Sequence, residues 1–303
     1  MSGCWRRSRD ANAECGVGND RKCGVRNAEC GIEGRGRATR RSSVHSALRI
    51  PHSALEGGAR VEGLILAIDT ATDIASAAAG SPREVRSVVA AKGARRHAAQ
   101  IITLVDRALA AAGARARDLA ALVVADGPGS FTGLRIGWAA AKGLAHERGI
   151  GISAVPSLMA AALGAAELIG SPVAACFDAL RGQIYGAVYG FQPDKVDCLV
   201  APALLTVAEL VRIAPVRPRV AVGDGALAHA EEVGRWTGAP PVGLDALRPL
   251  AASLLLLAAR AGAARELPDP LAAEPVYGRP AEAQVKWEAR HGRPLPDPSR
   301  PIG

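Results

Sequence analysis

Two aspartates stand at equivalent places in the two halves of the chain, and each could take part in binding a divalent cation. Asp69 follows the apolar run Leu64–Ile68, and Asp178 follows the run Val173–Phe177. Both runs predict buried strands, and carboxylates at strand ends can hold Mg²⁺ beside a nucleotide, often through water. A single aspartate in such a turn is more often a turn former, so it is the pair that indicates a cleft.

Further polar residues and glycines extend this candidate cleft. Thr70 follows Asp69 directly, and the turn Gly223-Asp224-Gly225 could line the nucleoside side. Ala71, however, stands where a phosphate-binding turn usually has glycine, and its Cβ would crowd a phosphate. We therefore predict a vestigial nucleotide cleft without efficient ATPase activity, formed by Asp69, Thr70, Asp178, Gly223, Asp224 and Gly225.

A glycine-rich turn, Asp126–Gly133, lies between a predicted strand and a predicted helix. Its backbone amides could bind phosphate at the start of the helix. The spacing does not match the P-loop pattern, because five residues separate Gly127 from Gly133 and no lysine follows. The dinucleotide fingerprint needs glycine where Thr132 stands. We therefore predict a structural turn in which Ser130 or Thr132 caps the helix, and its residues are Gly127, Gly129, Ser130, Thr132 and Gly133.

The sequence shows no recognisable catalytic or metal-binding group. Of the six histidines, four lie beyond residue 60 and stand apart from one another. Ile101 follows His97 at i+4, so no histidine pair shares a helix face there. The chain also has no C-x-x-C pair and no G-x-S-x-G elbow. We expect no catalytic residue, no metal and no cofactor of its own, and a serine hydrolase is disfavoured.

Two predicted helices carry more apolar surface than a single contact needs. On the helix predicted at 94–112, apolar positions cover roughly 160° of arc at 100° per residue, against about 100° for a helix that covers one core. The helix predicted at 132–146 has only Arg135 and Lys142 as charged residues between Gly133 and Ala145. A neighbouring helix of the same chain or a partner protein could cover the extra face. The predicted partner interface consists of Ile101, Leu104, Val105, Ala108, Leu134 and Trp138.

Positive charge is concentrated near the N-terminus. The formal net charge is +8, but residues 1–60 hold twelve Lys/Arg and six Asp/Glu, which leaves 25 and 23 for the rest. The residues after position 60 therefore have no broad basic surface of the kind that RNA binding needs. No run of 18 apolar residues indicates a membrane span, and we expect a soluble, cytoplasmic protein.

The first sixty residues lack the periodicity of helices or strands. The segment Asn12–Gly16 returns as Asn27–Gly31, and arginine and glycine are frequent. The segment could be a basic RNA-binding tail, or a disordered or wrongly annotated leader. We favour the leader, because too little apolar surface is present to offset the entropy of ordering, and we place the native start near Val61.

The order of predicted elements occurs twice: strand, acidic turn, hairpin strands, helix, strand, glycine-rich turn and helix. The predicted strands are 64–68, 74–79, 84–91, 119–125, 150–155, 173–177, 183–189 and 220–222, and the predicted helices are 94–112, 132–146, 207–213, one ending at Trp236, and 247–264. This α/β pattern resembles two tandem ribonuclease-H-like lobes of the actin, chaperone-ATPase and sugar-kinase (ASKHA) type. The predicted divisions are a leader at 1–60, a first lobe at 61–155 carrying the partner-binding helices, a second lobe at 156–288 with the C-terminal helix, and a flexible tail at 289–303.

Four segments together closely resemble the TsaB (YeaZ-like) family of tRNA threonylcarbamoyladenosine biosynthesis proteins. They are Ile65–Thr72, Gly127–Gly137, Phe177–Ala179 and Ala273–Tyr277, and the second is highly specific. The likeness extends from about Leu64 to Trp287. Leu180 and Gly278 depart from it, because the family usually has Arg and Leu there.

This resemblance implies a fold without independent catalysis in the machinery that transfers threonylcarbamoyl to N6 of adenosine 37 of tRNA (t6A biosynthesis). Family members pair through their first-lobe helices with TsaD, the ATP-using catalytic subunit in which a His-x-x-x-His pair binds iron. The pair engages the ATPase TsaE. The resemblance therefore implies ATP and metal on the partner subunits, and tRNA contact only through the complex. It leaves open whether the chain forms a homodimer when alone. The alternatives are a stand-alone ATP-dependent enzyme of the sugar-kinase type and a glycopeptidase-like hydrolase.

Overall fold

A computed structural model of the protein describes residues 63–93, 97–267, 269–278, 287 and 290–292. The predicted leader at 1–60 and nearly all of the predicted tail at 289–303 lie outside the described residues. Within the described part of the chain, no helix is long and apolar enough to span a membrane.

The first half of the chain forms most of a six-stranded sheet. Its elements are β1 (Leu64–Asp69), β2 (Ile74–Ser81), β3 (Glu84–Lys92), α1 (His97–Ala111), β4 (Leu119–Ala125), α2 (Phe131–Arg148), β5 (Gly151–Val155) and α3 (Ser157–Ile169). Strands β1, β2 and β3 pair antiparallel, whereas β1, β4 and β5 pair parallel. Strand β1 is central and buried on both faces, which explains why it is a continuous apolar run.

The second half forms a four-stranded sheet and returns to the first. Its elements are β6 (Val173–Asp178), β7 (Ile184–Phe191), β8 (Val196–Leu205), α4 (Val207–Ile213), β9 (Val220–Val222), α5 (Asp224–Ala228), α6 (Ala230–Thr237), α7 (Leu250–Leu257) and β10 (Arg265–Glu266). The sheet orders are β10-β5-β4-β1-β2-β3 and β8-β7-β6-β9.

Both sheets have the ribonuclease-H-like order in which an antiparallel three-stranded unit is extended by parallel strands. The second sheet ends at β9, and a single parallel bridge between Val222 and Val242 stands at the position of a fifth strand. The fold class predicted from the sequence, two tandem lobes of the ASKHA type, is confirmed.

Three apolar cores divide the molecule into layers. Helices α1 and α2 cover the outer face of the first sheet, and α4, α5 and α6 cover the outer face of the second. The largest core lies between the two sheets and contains α3 and α7. Cys176 is buried, as expected from its apolar surroundings in the sequence.

Several elements differ from the sequence-based expectation. Strands β8 and β10 were not predicted, and the helix predicted to end at Trp236 is two helices, α5 and α6. Helix α3 was not predicted, because its first nine residues are all buried and leave no polar face to reveal a helical period. The helix predicted at 247–264 spans only Leu250–Leu257. The chain turns after it, where Gly262 adopts a φ of 78° that glycine accepts readily.

The C-terminal elements also pack in an unexpected place. Helix α7 lies against β1, β2, β3 and β4, and β10 pairs with β5. Both therefore complete the first sheet, although the sequence division assigned the C-terminal helix to the second lobe. The predicted boundary between the two lobes, at residues 155 and 156, stays a prediction.

Candidate functional site

Asp69 ends β1 in a position that solvent does not reach. Its side chain is 0% exposed, and its Oδ1 accepts a hydrogen bond from the amide of Ala71 at 3.1 Å. Its Oδ2 has no hydrogen-bond partner among the described residues. Burial raises the pKa of this carboxyl to about 7, because desolvation disfavours the charged form and the Ala71 amide offsets only part of that effect.

The turn after Asp69 packs directly on the start of α2. Thr70 Oγ1 donates a 2.7 Å hydrogen bond to the carbonyl oxygen of Gly133. A Cβ on Gly133 would collide with the carbonyl oxygen of Thr70, and a Cβ on Gly137 would collide with the hydroxyl of Thr70. These glycines are therefore required for close approach of the helix to the turn. Gly143, farther along the same helix, has nothing within 4 Å of the position of a Cβ.

The glycine-rich turn 126–133 uses its amides within the chain. Ser130 Oγ caps α2 by accepting from the amide of Gly133 at 3.1 Å, whereas Thr132 is exposed and does not cap. The amide of Ser130 donates to the carbonyl oxygen of Ala71 at 2.7 Å. The amide of Gly127 donates to Ser157 Oγ at 3.2 Å. These three amides are therefore engaged within the chain and are not available to a phosphate.

A segment from the C-terminal part of the chain closes this turn from the other side. The segment Glu274–Gly278, which we call the tail clamp, lies over the turn: the amide of Val276 donates to the carbonyl oxygen of Asp126 at 2.7 Å. The Asp126 carboxylate in turn accepts two hydrogen bonds from Arg265, at 2.7 and 2.9 Å. Gly278 lies close to the ring of Tyr185 on β7, so the tail clamp contacts both sheets.

Gly278 also explains one departure from the resembled family. Its φ is 71°, and a Cβ there would lie 2.7 Å from Tyr185 Cε1 and 3.1 Å from Pro128 Cβ. A leucine at this position would therefore need a different path of the tail. The second departure, Leu180, is in a strained turn with φ of 63° and is 67% exposed.

The second acidic turn is open. Asp178 ends β6 with an exposed side chain, and its Oδ1 accepts from the amide of Leu180 at 2.8 Å. Its own amide donates to Asp224 Oδ1 at 3.0 Å. A Cβ on Gly225 would lie 2.7 to 2.9 Å from the backbone of Phe177 and Asp178, and a Cβ on Gly223 would collide with the Cys176 carbonyl oxygen.

The six residues predicted for a nucleotide cleft thus form two sets. Asp69 and Thr70 contact α2, while Asp178, Gly223, Asp224 and Gly225 contact one another. No hydrogen bond among the described residues joins the two sets. The described residues also contain no group of three or more His, Cys, Asp or Glu side chains that could hold a metal ion. The cleft therefore stays a prediction.

The residues predicted for the partner interface require a correction. Ile101, Leu104, Val105, Ala108, Leu134 and Trp138 are all between 0% and 2% exposed. Helix α1 packs against β2, β3 and α2 at once, so its wide apolar arc is covered within the chain. Trp138 also donates its indole N–H to the carbonyl oxygen of Ala125 at 3.0 Å. These six side chains lie in this chain's own core and do not form a contact surface.

The outer face of the same two helices is a different set of residues. Ile102 on α1 is 53% exposed. On α2, Ala139 and Gly143 are exposed. We call Ile102, Ala139 and Gly143 the outer face. Sequence reasoning missed it, because a helix pattern alone does not tell which of two apolar faces the sheet covers.

A cluster at the start of α2 was also missed. Arg135, on the exposed side of the helix, donates from Nε to the hydroxyl of Tyr277 at 3.0 Å. Its guanidinium lies over the ring of Phe131, 4.1 Å from the ring centre. Arg135 and Tyr277 are 142 positions apart, so no local pattern could have joined them.

The sequence of this chain is similar to those of known proteins. The family described as TsaD, tRNA N6-adenosine threonylcarbamoyltransferase, matches residues 81–232. A tRNA threonylcarbamoyladenosine biosynthesis protein TsaB from Bacillus subtilis is 34% identical over 177 residues, covering 56% of this chain and 74% of the relative. The Escherichia coli TsaB is 39% identical over 126 residues, covering 41% of this chain and 54% of the relative.

Two solved structures from Pseudomonas aeruginosa share the fold. One, described as an uncharacterized protein with similarity to peptidase YEAZ, has a TM-score of 0.60 and 28% identity, and covers 72% of this chain and 100% of the other. The other, YeaZ, has a TM-score of 0.54 and 27% identity, and covers 65% of this chain and 90% of the other.

Proposed function

Because this chain belongs to the TsaB family of tRNA threonylcarbamoyladenosine biosynthesis proteins, we propose that it is a non-catalytic scaffold subunit of that pathway. It supports a TsaD-type catalytic subunit in transferring threonylcarbamoyl to N6 of adenosine 37 of tRNA. ATP and metal bind the partner subunits, a TsaD-type protein and a TsaE-type ATPase. The chain contacts tRNA only through the complex.

The observation that carries the non-catalytic role is the closure of the turn 126–133 by the chain itself. The amides of Gly127, Ser130 and Gly133 donate to oxygens of the same protein, and the tail clamp covers the outer side. A nucleotide-using enzyme needs such donors free for the phosphates. The geometry favours a turn that fixes α2 in place.

The scaffold role is supported by the outer face. Ile102 is half exposed on a helix whose other large apolar residues, Ile101, Leu104, Val105 and Leu109, are buried. Ala139 and Gly143 leave room for a helix of another protein to approach α2 closely. Packing of two helices on this pair gives an inter-subunit four-helix arrangement. Apolar area buried there contributes about 25 cal/mol per Å² before the costs of association.

Reconstitution of tRNA modification tests the proposed function. The TsaD-type and TsaE-type proteins of the same organism are assayed for threonylcarbamoyladenosine with and without this chain, and the chain alone is assayed for nucleotide turnover. We expect modification to require the chain, and turnover by the chain alone to be negligible. Rapid turnover by the chain alone would instead identify a stand-alone ATP-dependent enzyme.

The outer face has its own test. Ile102→Glu places a charge on the exposed side of α1 and should abolish co-purification with the TsaD-type subunit while the fold is retained. Ile213→Glu is the matched control, because Ile213 is 48% exposed on α4 of the other sheet. Leu104→Glu is unsuitable, because Leu104 is buried and an unpaired charge there would unfold the chain. Equal co-purification of both exposed variants would remove the outer face from the proposal.

A further inference from the structure

Arg135 is held in position by a hydrogen bond to Tyr277 and by stacking of its guanidinium on the ring of Phe131. Its Nε donates to Tyr277 Oη at 3.0 Å, and its Cζ lies 4.1 Å from the centre of the Phe131 ring and 5.5 Å from that of Tyr277. The two rings contact each other, with 4.5 Å between their centres. A guanidinium stacked on aromatic rings gains from cation–π attraction and loses its rotational freedom before any ligand arrives.

The tail clamp in turn holds Tyr277. The tyrosine hydroxyl donates to Glu274 Oε2 at 3.2 Å, and the carbonyl oxygen of Glu274 accepts from Arg265 at 3.2 Å. Glu274 also lies 3.7 Å from Lys142 Nζ. The position of Arg135 is therefore set by a segment from the far end of the chain.

The two terminal nitrogens of Arg135 have no hydrogen-bond partner in the part of the chain that the structure describes, and the residue is exposed. A planar guanidinium whose Nε is already engaged presents these nitrogens as a fork. Such a fork matches a carboxylate or a phosphate in two parallel hydrogen bonds. Because the side chain is already ordered, binding loses little further entropy.

The surroundings favour a carboxylate over RNA phosphate. Arg135 lies four residues before Ala139 of the outer face and seven before Lys142, so all three share one side of α2. The chain beyond residue 60 has 25 basic and 23 acidic residues, so it offers no excess of positive charge around Arg135 for an RNA backbone. Nucleic-acid surfaces need many cations together, whereas one positioned arginine beside small residues fits an acidic side chain on a partner helix.

We propose that Arg135 is the anchor for a carboxylate side chain of the partner protein that packs on the outer face, and that Tyr277 is the residue that positions it. This inference rests on the proposed function, because it assumes that the TsaD-type subunit binds there. It adds the chemistry of the contact and makes the C-terminal tail clamp part of the docking surface.

Binding of the TsaD-type subunit from the same organism, measured by calorimetry with the full chain, tests the anchor. We expect Arg135→Ala to weaken binding about 30-fold or more, as for arginine anchors at protein interfaces, and Arg135→Lys to restore only part of it, because lysine lacks the fork. Arg212→Ala, an exposed arginine on α4, is the control and should bind as the unaltered chain does.

Tyr277→Phe tests the positioning role. It keeps the ring and removes the hydroxyl, and we expect a loss of about three- to tenfold in affinity with an unchanged melting temperature. In the Arg135→Ala background the same substitution should have no further effect, since a residue that acts through Arg135 is silent without it. A merely structural role of Tyr277 would lower the melting temperature and add to the Arg135→Ala effect.

The outcomes separate this inference from the proposed function. If the unaltered chain binds the TsaD-type subunit but Arg135→Ala binds equally well, the anchor is wrong and the proposed function stands. If the unaltered chain does not bind that subunit at all, the proposed function falls, and this inference with it. An effect of Arg135→Ala confined to tRNA binding would also overturn the carboxylate assignment.

Discussion

The turns after β1 and β6 occupy the same place in the two sheets, and they have opposite environments. Asp69 is 0% exposed, with one carboxylate oxygen lacking a partner. Asp178 is exposed and accepts a hydrogen bond from Leu180. Helix α2 and the 126–133 turn cover the first turn, whereas the second is contacted from one side by α5.

This contrast shows that equivalent topology does not give equivalent chemistry. In a nucleotide-using protein of this architecture, both acidic turns would need to reach the same ligand. Here the first turn is used for packing, since Thr70 bonds to α2 and the neighbouring glycines allow that contact. The second keeps an accessible carboxylate. Four substitutions test this difference between the two turns.

The largest expected effect concerns Asp69, whose carboxyl makes the stability of the whole protein depend on pH. The pKa of its carboxyl is about 7 in the folded protein and 3.8 without burial. The folded state therefore binds more protons than the unfolded state between these values, and stability falls as pH rises through that window. The difference corresponds to roughly 4 kcal/mol at neutral pH.

Asp69→Asn removes this titration. We expect the variant to gain stability over the unaltered protein as pH rises from 4 to 7, and the two curves to run parallel above pH 8. Urea unfolding at a series of pH values measures the stability of both proteins. Parallel curves throughout would show that Asp69 is solvated in solution, and the contrast with Asp178 would disappear.

The second effect concerns the contact between α2 and Thr70. Gly133→Ala places a Cβ against the Thr70 carbonyl oxygen, and we expect a loss of about 3 kcal/mol, since backbone must shift to relieve the overlap. Gly143→Ala is the control on the same helix, where a Cβ meets nothing within 4 Å. It should gain up to about 1 kcal/mol from helix propensity. Thermal unfolding of the two variants measures both changes in stability. Similar losses in both would show that the first turn is not tightly closed.

A smaller effect is expected at the second turn. Gly225→Ala brings a Cβ to 2.7 Å from the Phe177 carbonyl carbon, but residues 180–182, which follow the contacted backbone, are exposed and can yield. We expect a loss of about 1 kcal/mol, clearly less than for Gly133→Ala when both are measured by the same urea titration. A loss as large as that of Gly133→Ala would mean that both turns are equally rigid.

The smallest effect is expected for Asp178→Asn. Asparagine keeps an acceptor for the Leu180 amide, and surface changes of this kind usually alter stability by less than about 0.5 kcal/mol. Urea unfolding measures the change. A loss well above that value would mean that Asp178 is less accessible than the structure indicates.

The sequence predicted much of this fold because its strands and turns have local signatures. Strand β4 and helix α4 lie where the pattern placed them, and the alternation of strand, acidic turn and hairpin was sufficient for the two-lobe architecture. Helix α3 was not predicted, because apolar residues occupy all of its sides.

The candidate site was less accessible to sequence reasoning. The motif residues of the turn 126–133 were identified as structural, and Ser130 does cap α2. The opposite environments of Asp69 and Asp178 could not be predicted, because burial depends on what α2 and the tail contribute from far along the chain. For the same reason, the apolar arc of α1 could not be assigned to a partner or to the chain itself.

Helix α7 has a consequence for how the protein is made. Residues 250–257 fill the inner side of the first sheet, so the N-terminal lobe cannot complete its core while only its own strands have left the ribosome. Nascent chains fold in the order in which they emerge. The first sheet must therefore wait, with one apolar face uncovered, until residues 250–257 have left the ribosome, and this interval is when chaperones would be most needed.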